Sequence, residues 1–256
     1  AAAAAAAGGA RALAPSNHLG VEMEAAAAYA EALTTAEHPA LTRVREFTAA
    51  NMQGREHMLS GLVQARLLGM LVALSRPQQV LEIGTFTGYS ALAMAAALPD
   101  GGKLLTLEKD AEMAKIARGH ADASPWGGRV EVRACDAVKE LEGMTGEYQL
   151  VFLDANKLQY GKYLDLLLGR GLLARGGLLV VDNTLWKGQV PRLLGEDEKG
   201  SVERLQQLQR KGAMSMVEAD KYAKAMHAFN QKLRDDGRLE AVLLPLRDGL
   251  TLARRV

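Results

Sequence analysis

Between Gln79 and Asp182 the chain repeats one pattern: a short apolar run, a turn carrying Gly or Asp, then a stretch with helical spacing. The runs are Gln79-Val-Leu-Glu-Ile-Gly84, Lys103-Leu-Leu-Thr-Leu-Glu108, Val130 to Ala134, Tyr148 to Leu153 and Leu178 to Val181. Near-continuous apolar runs suit strands buried on both faces, as parallel sheets require. Helical stretches at about Ser90 to Leu98 and Ala111 to Ala121 separate them. Strands alternating with helices predict an α/β fold with a doubly wound, mostly parallel sheet. The fifth run follows Gly176-Gly177, read as a turn. The end of the chain breaks the pattern. Leu239 to Leu246 and Leu250 to Val256, joined by Arg247-Asp248-Gly249, predict an antiparallel C-terminal hairpin. Before it, about Ala219 to Asp235 reads as a helix with Tyr222, Ala225, Met226, Phe229 and Leu233 on one face.

Ahead of the sheet, residues 21–75 space their apolar positions by three and four and never alternate with period two. They predict an N-terminal helical arm, followed by the sheet domain at 76–256. Residues 1–20 open with Ala1 to Ala7 and carry a lone Arg11 and no acid. That leader is either the remnant of an organelle transit peptide or an Ala-rich disordered segment, and it is set aside from the fold. The polar stretch from Arg192 to Gly212 reads as a surface insertion with a helical part.

Charge narrows the partners. Lys plus Arg number 31 against 30 Asp plus Glu, so there is no basic excess for a phosphate backbone, and nucleic acid is not expected. No uninterrupted apolar run reaches the roughly 18 to 20 residues of a bilayer span, so no membrane span is expected. The single cysteine, Cys135, cannot close an internal disulfide. An intracellular, reducing setting follows as the expectation: cytoplasm, or an organelle if the leader is a transit remnant, and not secretion.

In an open parallel sheet, ligands bind beyond the carboxyl ends of the strands near the switch in strand order. The first strand runs into Glu82-Ile-Gly84-Thr85-Phe-Thr-Gly88, where glycines permit a tight turn and close approach to a ligand. The second ends at Glu108, a carboxylate able to accept from both hydroxyls of a ribose. Asp136 follows the third, where an adenine amine can be met. The dinucleotide pattern wants G-x-G-x-x-G, and its middle glycine is absent here. The loop therefore fits a nucleoside without a pyrophosphate. The bland alternative makes Glu108 and Asp136 helix caps or surface carboxylates.

The fourth strand ends Asp154-Ala-Asn156-Lys157 and the fifth Asp182-Asn183. Side by side, those strands bring Asp154, Asp182 and Asn183 to one rim. All three offer oxygen, the set preferred by Mg²⁺ or Ca²⁺, with Mn²⁺ also suited. No His or Cys spacing suits zinc. The alternatives are a turn initiator for Asp182-Asn183 and a solvated surface lysine for Lys157. Trp126, Trp186 and Phe86 are open to stacking on an aromatic ring or to plain core packing.

Four stretches taken together are specific: Leu-Glu-Ile-Gly-Thr-Phe-Thr-Gly-Tyr-Ser (81–90), Phe-Leu-Asp-Ala-Asn-Lys (152–157), Val-Asp-Asn-Thr-Leu-Trp (181–186) and the ending Leu-Pro-Leu-Arg-Asp-Gly-Leu-Thr-Leu-Ala-Arg-Arg-Val. From Met58 to Val256 the chain resembles the cation-dependent O-methyltransferases of the caffeoyl-CoA and catechol type. The resemblance implies a class I methyltransferase fold, Rossmann-like, with seven strands, usually in a homodimer. It implies an S-adenosylmethionine site lined by Ser60, Glu82, Gly84, Thr85, Ser90, Glu108 and Ala137. It places a divalent cation, Mg²⁺ first among candidates, on Asp154, Asp182 and Asn183, and a catalytic lysine at Lys157.

The chemistry so implied is methyl transfer to one hydroxyl of a small aromatic vicinal diol chelated by the cation, with Lys157 taking the hydroxyl proton or stabilising the anion. The chain departs from the plant enzymes at two substrate-facing positions, Asn156 in place of Asp and Lys187 in place of Asn. Caffeoyl-CoA itself is therefore not implied. Gln64 stands where glutamate is common. Two competing readings are a retired methyltransferase fold serving as a structural or assembly subunit, and a nicotinamide-dependent dehydrogenase. The intact oxygen trio with Lys157 weighs against the first, and the missing glycine against the second.

Overall fold

The computed structural model describes residues 23–194 and 216–256. The Ala-rich leader, and all of the expected insertion beyond its first three residues, lie outside the described residues. Helices α1 (Met23–Leu33), α2 (Pro39–Asn51) and α3 (Gly61–Ser75) precede β1 (Gln79–Ile83). Then come α4 (Tyr89–Ala95), β2 (Lys103–Glu108), α5 (Ala111–Asp122), β3 (Val130–Ala134), α6 (Ala137–Gly143), β4 (Tyr148–Leu153), α7 (Tyr160–Gly169) and β5 (Leu173–Asp182). The chain ends with α8 (Met216–Asp235), β6 (Leu239–Leu244) and β7 (Leu250–Arg255). The chain divides at Leu33 into two compact units. Helix α1, part of the first, has exposed side chains from Ala25 to Glu31, while α2 and α3 belong to the same unit as the sheet.

The seven strands lie in the order β3-β2-β1-β4-β5-β7-β6. Pairings β1–β2, β2–β3, β1–β4 and β4–β5 are parallel, and β5–β7 and β6–β7 are antiparallel. This is the doubly wound sheet with a closing hairpin that the alternating pattern predicts. Its order reverses between β1 and β4, so their carboxyl ends flank the crevice where ligands enter such sheets. Alternation within each strand splits the core in two. Val80, Leu150, Phe152 and Val180 pack with α3 and α4 on one face, against Leu68, Val72, Leu92 and Met94. Leu81, Ile83, Val151 and Leu153 face α7 and α8, against Tyr160, Leu164, Leu167 and Phe229. The buried face of α8 is Ala219, Ala223, Met226, Phe229 and Leu233, so Ala223 stands in the place expected of Ala225.

Two expectations change. The Gly176-Gly177 pair lies inside β5, which begins at Leu173 rather than Leu178. Partners step from Tyr148↔Leu173 to Leu150↔Leu178, a bulge that places Gly176 at φ +74. The hairpin connection runs from Pro245 to Gly249, longer than three residues. A third point qualifies rather than overturns an expectation. Though it carries Glu56, His57 and Arg66, Glu56–Ser75 is a helical stretch long and apolar enough, by length and composition, to cross a membrane, with mean hydropathy 1.6. That stretch is broken at Leu59, which is extended at ψ 141, and α3 sets Gln64, Ala65, Leu68 and Val72 into the sheet unit.

Candidate active site

The glycine loop expected to meet the methyl donor forms where β1 enters α4. Gly84, at φ +99, sits so close to β4 that a Cβ there would lie 2.1 Å from the Asp154 carbonyl oxygen. Asp154 N also donates to Ile83 O at 2.9 Å, so the ends of β1 and β4 are stitched directly together. Phe86 occupies the position of the missing middle glycine yet keeps left-handed backbone, φ +51. Non-glycine residues accept this at about 1–3 kcal/mol when the surroundings fix them. Here the fixing group is Glu108, whose Oε2 accepts from Thr85 N at 3.1 Å and Phe86 N at 2.8 Å. The guanidinium of Arg55 lies over the Phe86 ring, 5.1 Å from its centroid.

Beneath the loop is a closed polar network. Glu82 is fully buried, accepting from Ser90 Oγ at Oε1 and from Thr106 Oγ1 at Oε2, both at 2.5 Å. Thr106 Oγ1 also shares a hydrogen bond with the Thr85 hydroxyl at 2.5 Å, which ties the loop to this network. Burial pushes the Glu82 carboxyl up to about 8, against the lowering effect of its two hydroxyl donors. Of the residues expected to line the cofactor pocket, Glu82, Thr85 and Ser90 thus support the loop from below. Ser60 is buried at the head of α3, one turn before Gln64. Glu108 Oε1 also accepts from Asp110 N. Asp136 caps α6, its Oδ1 accepting from Val138 N at 3.0 Å and Lys139 N at 3.3 Å, and Ala137 is the first residue of that helix. The N-cap alternative therefore holds for Asp136, whereas Asp110, not Glu108, caps α5.

The oxygen-rich side lies across the crevice. Lys157 Nζ donates to Asp154 Oδ1 at 2.7 Å, with both side chains mostly buried. Lys157 is therefore no free surface lysine, and it also lies 5.8 Å above the Tyr160 ring. Asp182 is 5% exposed. Burial and then the Asp154 carboxylate push its carboxyl above the ordinary range, so these two acids share one electrostatic neighbourhood. Asp182 Oδ1 accepts from Asn183 N at 2.6 Å and Oδ2 from Gln64 Nε2 at 2.6 Å. Asn183 holds a left-handed φ of +62, and its Nδ2 donates to Asp248 Oδ2 at 3.2 Å, which leaves its Oδ1 as the oxygen free to bind. Asn156 is exposed, and its Oδ1 caps the following 3₁₀ turn by accepting from Leu158 N.

Asp248 is a site residue that the sequence reading passed over as part of a turn. Its carboxylate accepts from Asn183 Nδ2 and from Lys187 N, and burial raises its pKa. A Cβ on Gly249 would lie 2.5 Å from Leu185 N, so this hairpin turn lies flush on the loop after β5. Within that loop Trp186 and Lys187 are also left-handed, at φ +43 and +51. Trp186 stacks on Tyr222 of α8 at 4.9 Å, Lys187 Nζ lies over its ring, and Trp126 meets His38 edge-on. Among the described residues, two buried polar atoms of the loop, Trp186 Nε1 and Gln189 Oε1, have no hydrogen-bond partner.

Among the described residues no three His, Cys, Asp or Glu side chains converge on one point. Two carboxylates and an amide oxygen are a different donor set, and one that suits a hard dication. The fit rests on charge: two adjoining acids, one nearly buried, face a single ammonium, and a dication there would offset the excess.

A class I methyltransferase sheet with a nucleoside-type loop on one side and an acidic rim on the other defines the class. The O-methyltransferase family matches residues 31–256, and the chain belongs to it. Catechol O-methyltransferase domain-containing protein 1 of Mus musculus is 33% identical over 225 residues, covering 86% of this chain and 76% of that protein. Caffeoyl-CoA O-methyltransferase of Petroselinum crispum is 31% identical over 244 residues, covering 91% and 92%. The SAH-bound Podospora anserina methyltransferase PaMTH1 superposes with a TM-score of 0.77 at 26% identity, covering 91% of this chain and 94% of that one.

Proposed function

We propose that this S-adenosylmethionine-dependent O-methyltransferase methylates one hydroxyl of a small aromatic vicinal diol whose two oxygens are held by a divalent cation. One observation carries the reading: Asp154, already paired with Lys157, and the nearly buried Asp182 share a neighbourhood at the rim facing the nucleoside-type loop. Asp154, Asp182 and Asn183 would hold the cation, Mg²⁺ first, with Ca²⁺ or Mn²⁺ in the same oxygen set. Bound there, the cation would lower the pKa of the hydroxyl it faces. The chain's residues do the rest. Gly84 lets the loop come close to the donor, the Glu82–Thr106–Thr85 network keeps that loop from shifting, and the Lys157 ammonium held by Asp154 steadies the phenolate as its proton leaves to solvent.

Asn156 and Lys187 border the acceptor in this reading, and Lys187 adds a positive charge where an acidic side group of the acceptor would be favoured. A methyl-transfer screen over catechols, flavonoid diols and CoA-linked phenolics, beside matched monophenols, tests the acceptor class. Vicinal diols should turn over and monophenols should not. Equal turnover of monophenols would remove the chelated-diol reading.

A further inference from the structure

Gln64 is the polar side chain of α3 set into the sheet unit one turn after Ser60, and it is 1% exposed. Its Nε2 crosses from α3 to β5 and donates to Asp182 Oδ2 at 2.6 Å, a contact between residues 118 apart in sequence. Asp182 Oδ1 is fixed separately by Asn183 N. Each carboxylate oxygen therefore takes one hydrogen bond from the protein, which sets the plane of the group and leaves a lone pair on each for a ligand. A carboxamide does this without bringing a third negative charge beside Asp154 and Asp182.

We propose that Gln64 is a positioning residue for the cation: by clamping Oδ2 it holds the Asp182 carboxylate in its ligating orientation. The inference rests on the cation reading above. Partners of this kind, which orient a ligand without touching the ion, typically change metal affinity by about 10–100-fold when removed. Ser60, expected to line the donor pocket, heads the same helix, so a role confined to α3 packing would disturb donor binding as well.

The test uses the full chain, with Mn²⁺ as the probe. Calorimetric titration of wild type and Gln64→Met, which keeps side-chain length and removes the donor, should show Mn²⁺ binding weakened by roughly tenfold or more. S-adenosylhomocysteine affinity should stay within about twofold, since no donor-loop contact is lost. Equal Mn²⁺ affinity in the two proteins, or parallel loss of both ligands, would overturn the assignment. A wild type that binds no Mn²⁺ would remove the cation reading itself, and this inference with it. Should Gln64→Met fail to fold, the wild-type side-chain amide resonances decide: Mg²⁺ must shift the Gln64 pair, and an unmoved pair refutes the role.

Discussion

The two rims of the crevice solve different problems. On the donor side, Glu82, Ser90, Thr106 and Thr85 are all buried and bonded to one another, and Glu108 closes the loop amides over them. On the opposite side Asn183, Trp186, Lys187 and Arg247 all stand in left-handed backbone, against Phe86 alone among the non-glycine residues of the donor loop, two acids adjoin, and two buried polar atoms lack partners among the described residues. A satisfied network holds one shape without a ligand. Clustered strain and surplus charge mark a surface whose ligand completes it. On the proposed reading, the donor pocket is built by folding, whereas the acid rim would be completed by the cation it binds.

That contrast can be broken by mutation. Asp154→Ala should have the largest effect, a loss of at least roughly 100-fold in kcat with S-adenosylhomocysteine affinity retained. Paired activity and calorimetry measurements check it, and a matched fall in both would dissolve the division between the rims. Gly84→Ala attacks the other rim and should cost stability and donor binding together, about 2 kcal/mol or more, because the added methyl meets the Asp154 carbonyl. A thermal melt within a degree or two of wild type would show that the strand ends part easily.

The buried acid of the donor rim gives a pH signature. Glu82 is raised by burial to about 8 in the folded chain, so the folded state holds a proton that the unfolded state has released. Its contribution is full below the ordinary glutamate range and drains away as pH rises toward and through about 8. In chelator-treated protein, Tm should fall by roughly 4 °C or more between about pH 5 and pH 9, and Glu82→Gln should flatten that slope. Identical slopes would assign the pH dependence to other groups. The smallest change is Arg55→Ala, which removes the cation–π cover on Phe86 and should cost about 1 kcal/mol at most, read as a Tm shift.

The sheet was legible because β1, β2, β4 and β5 announce themselves by apolar runs and run into Gly84, Glu108, Asp154 and Asp182, residues with plain reasons to sit at a carboxyl edge. Asp154 and Asp182 were legible for the same reason, whereas Lys157 was singled out over a solvated surface lysine only by the family resemblance. Gly176-Gly177 misled because a pair of glycines serves a turn and a bulge equally well, and only the pairing with β4 separates the two. Gln64 and Asp248 gave no local signal of their role. One lies on a helix face among leucines and the other in an Asp-Gly turn, and each acquires its meaning from a partner brought up by the tertiary fold, 118 and 65 residues away in sequence.

One measurement bears most directly on the cation proposed for the Asp154–Asp182 rim: methyl transfer to a catechol in chelator, then with Mg²⁺ or Mn²⁺ restored in excess. Turnover should vanish in chelator and return with either ion, with donor affinity little changed throughout. Undiminished methylation in chelator would contradict the account.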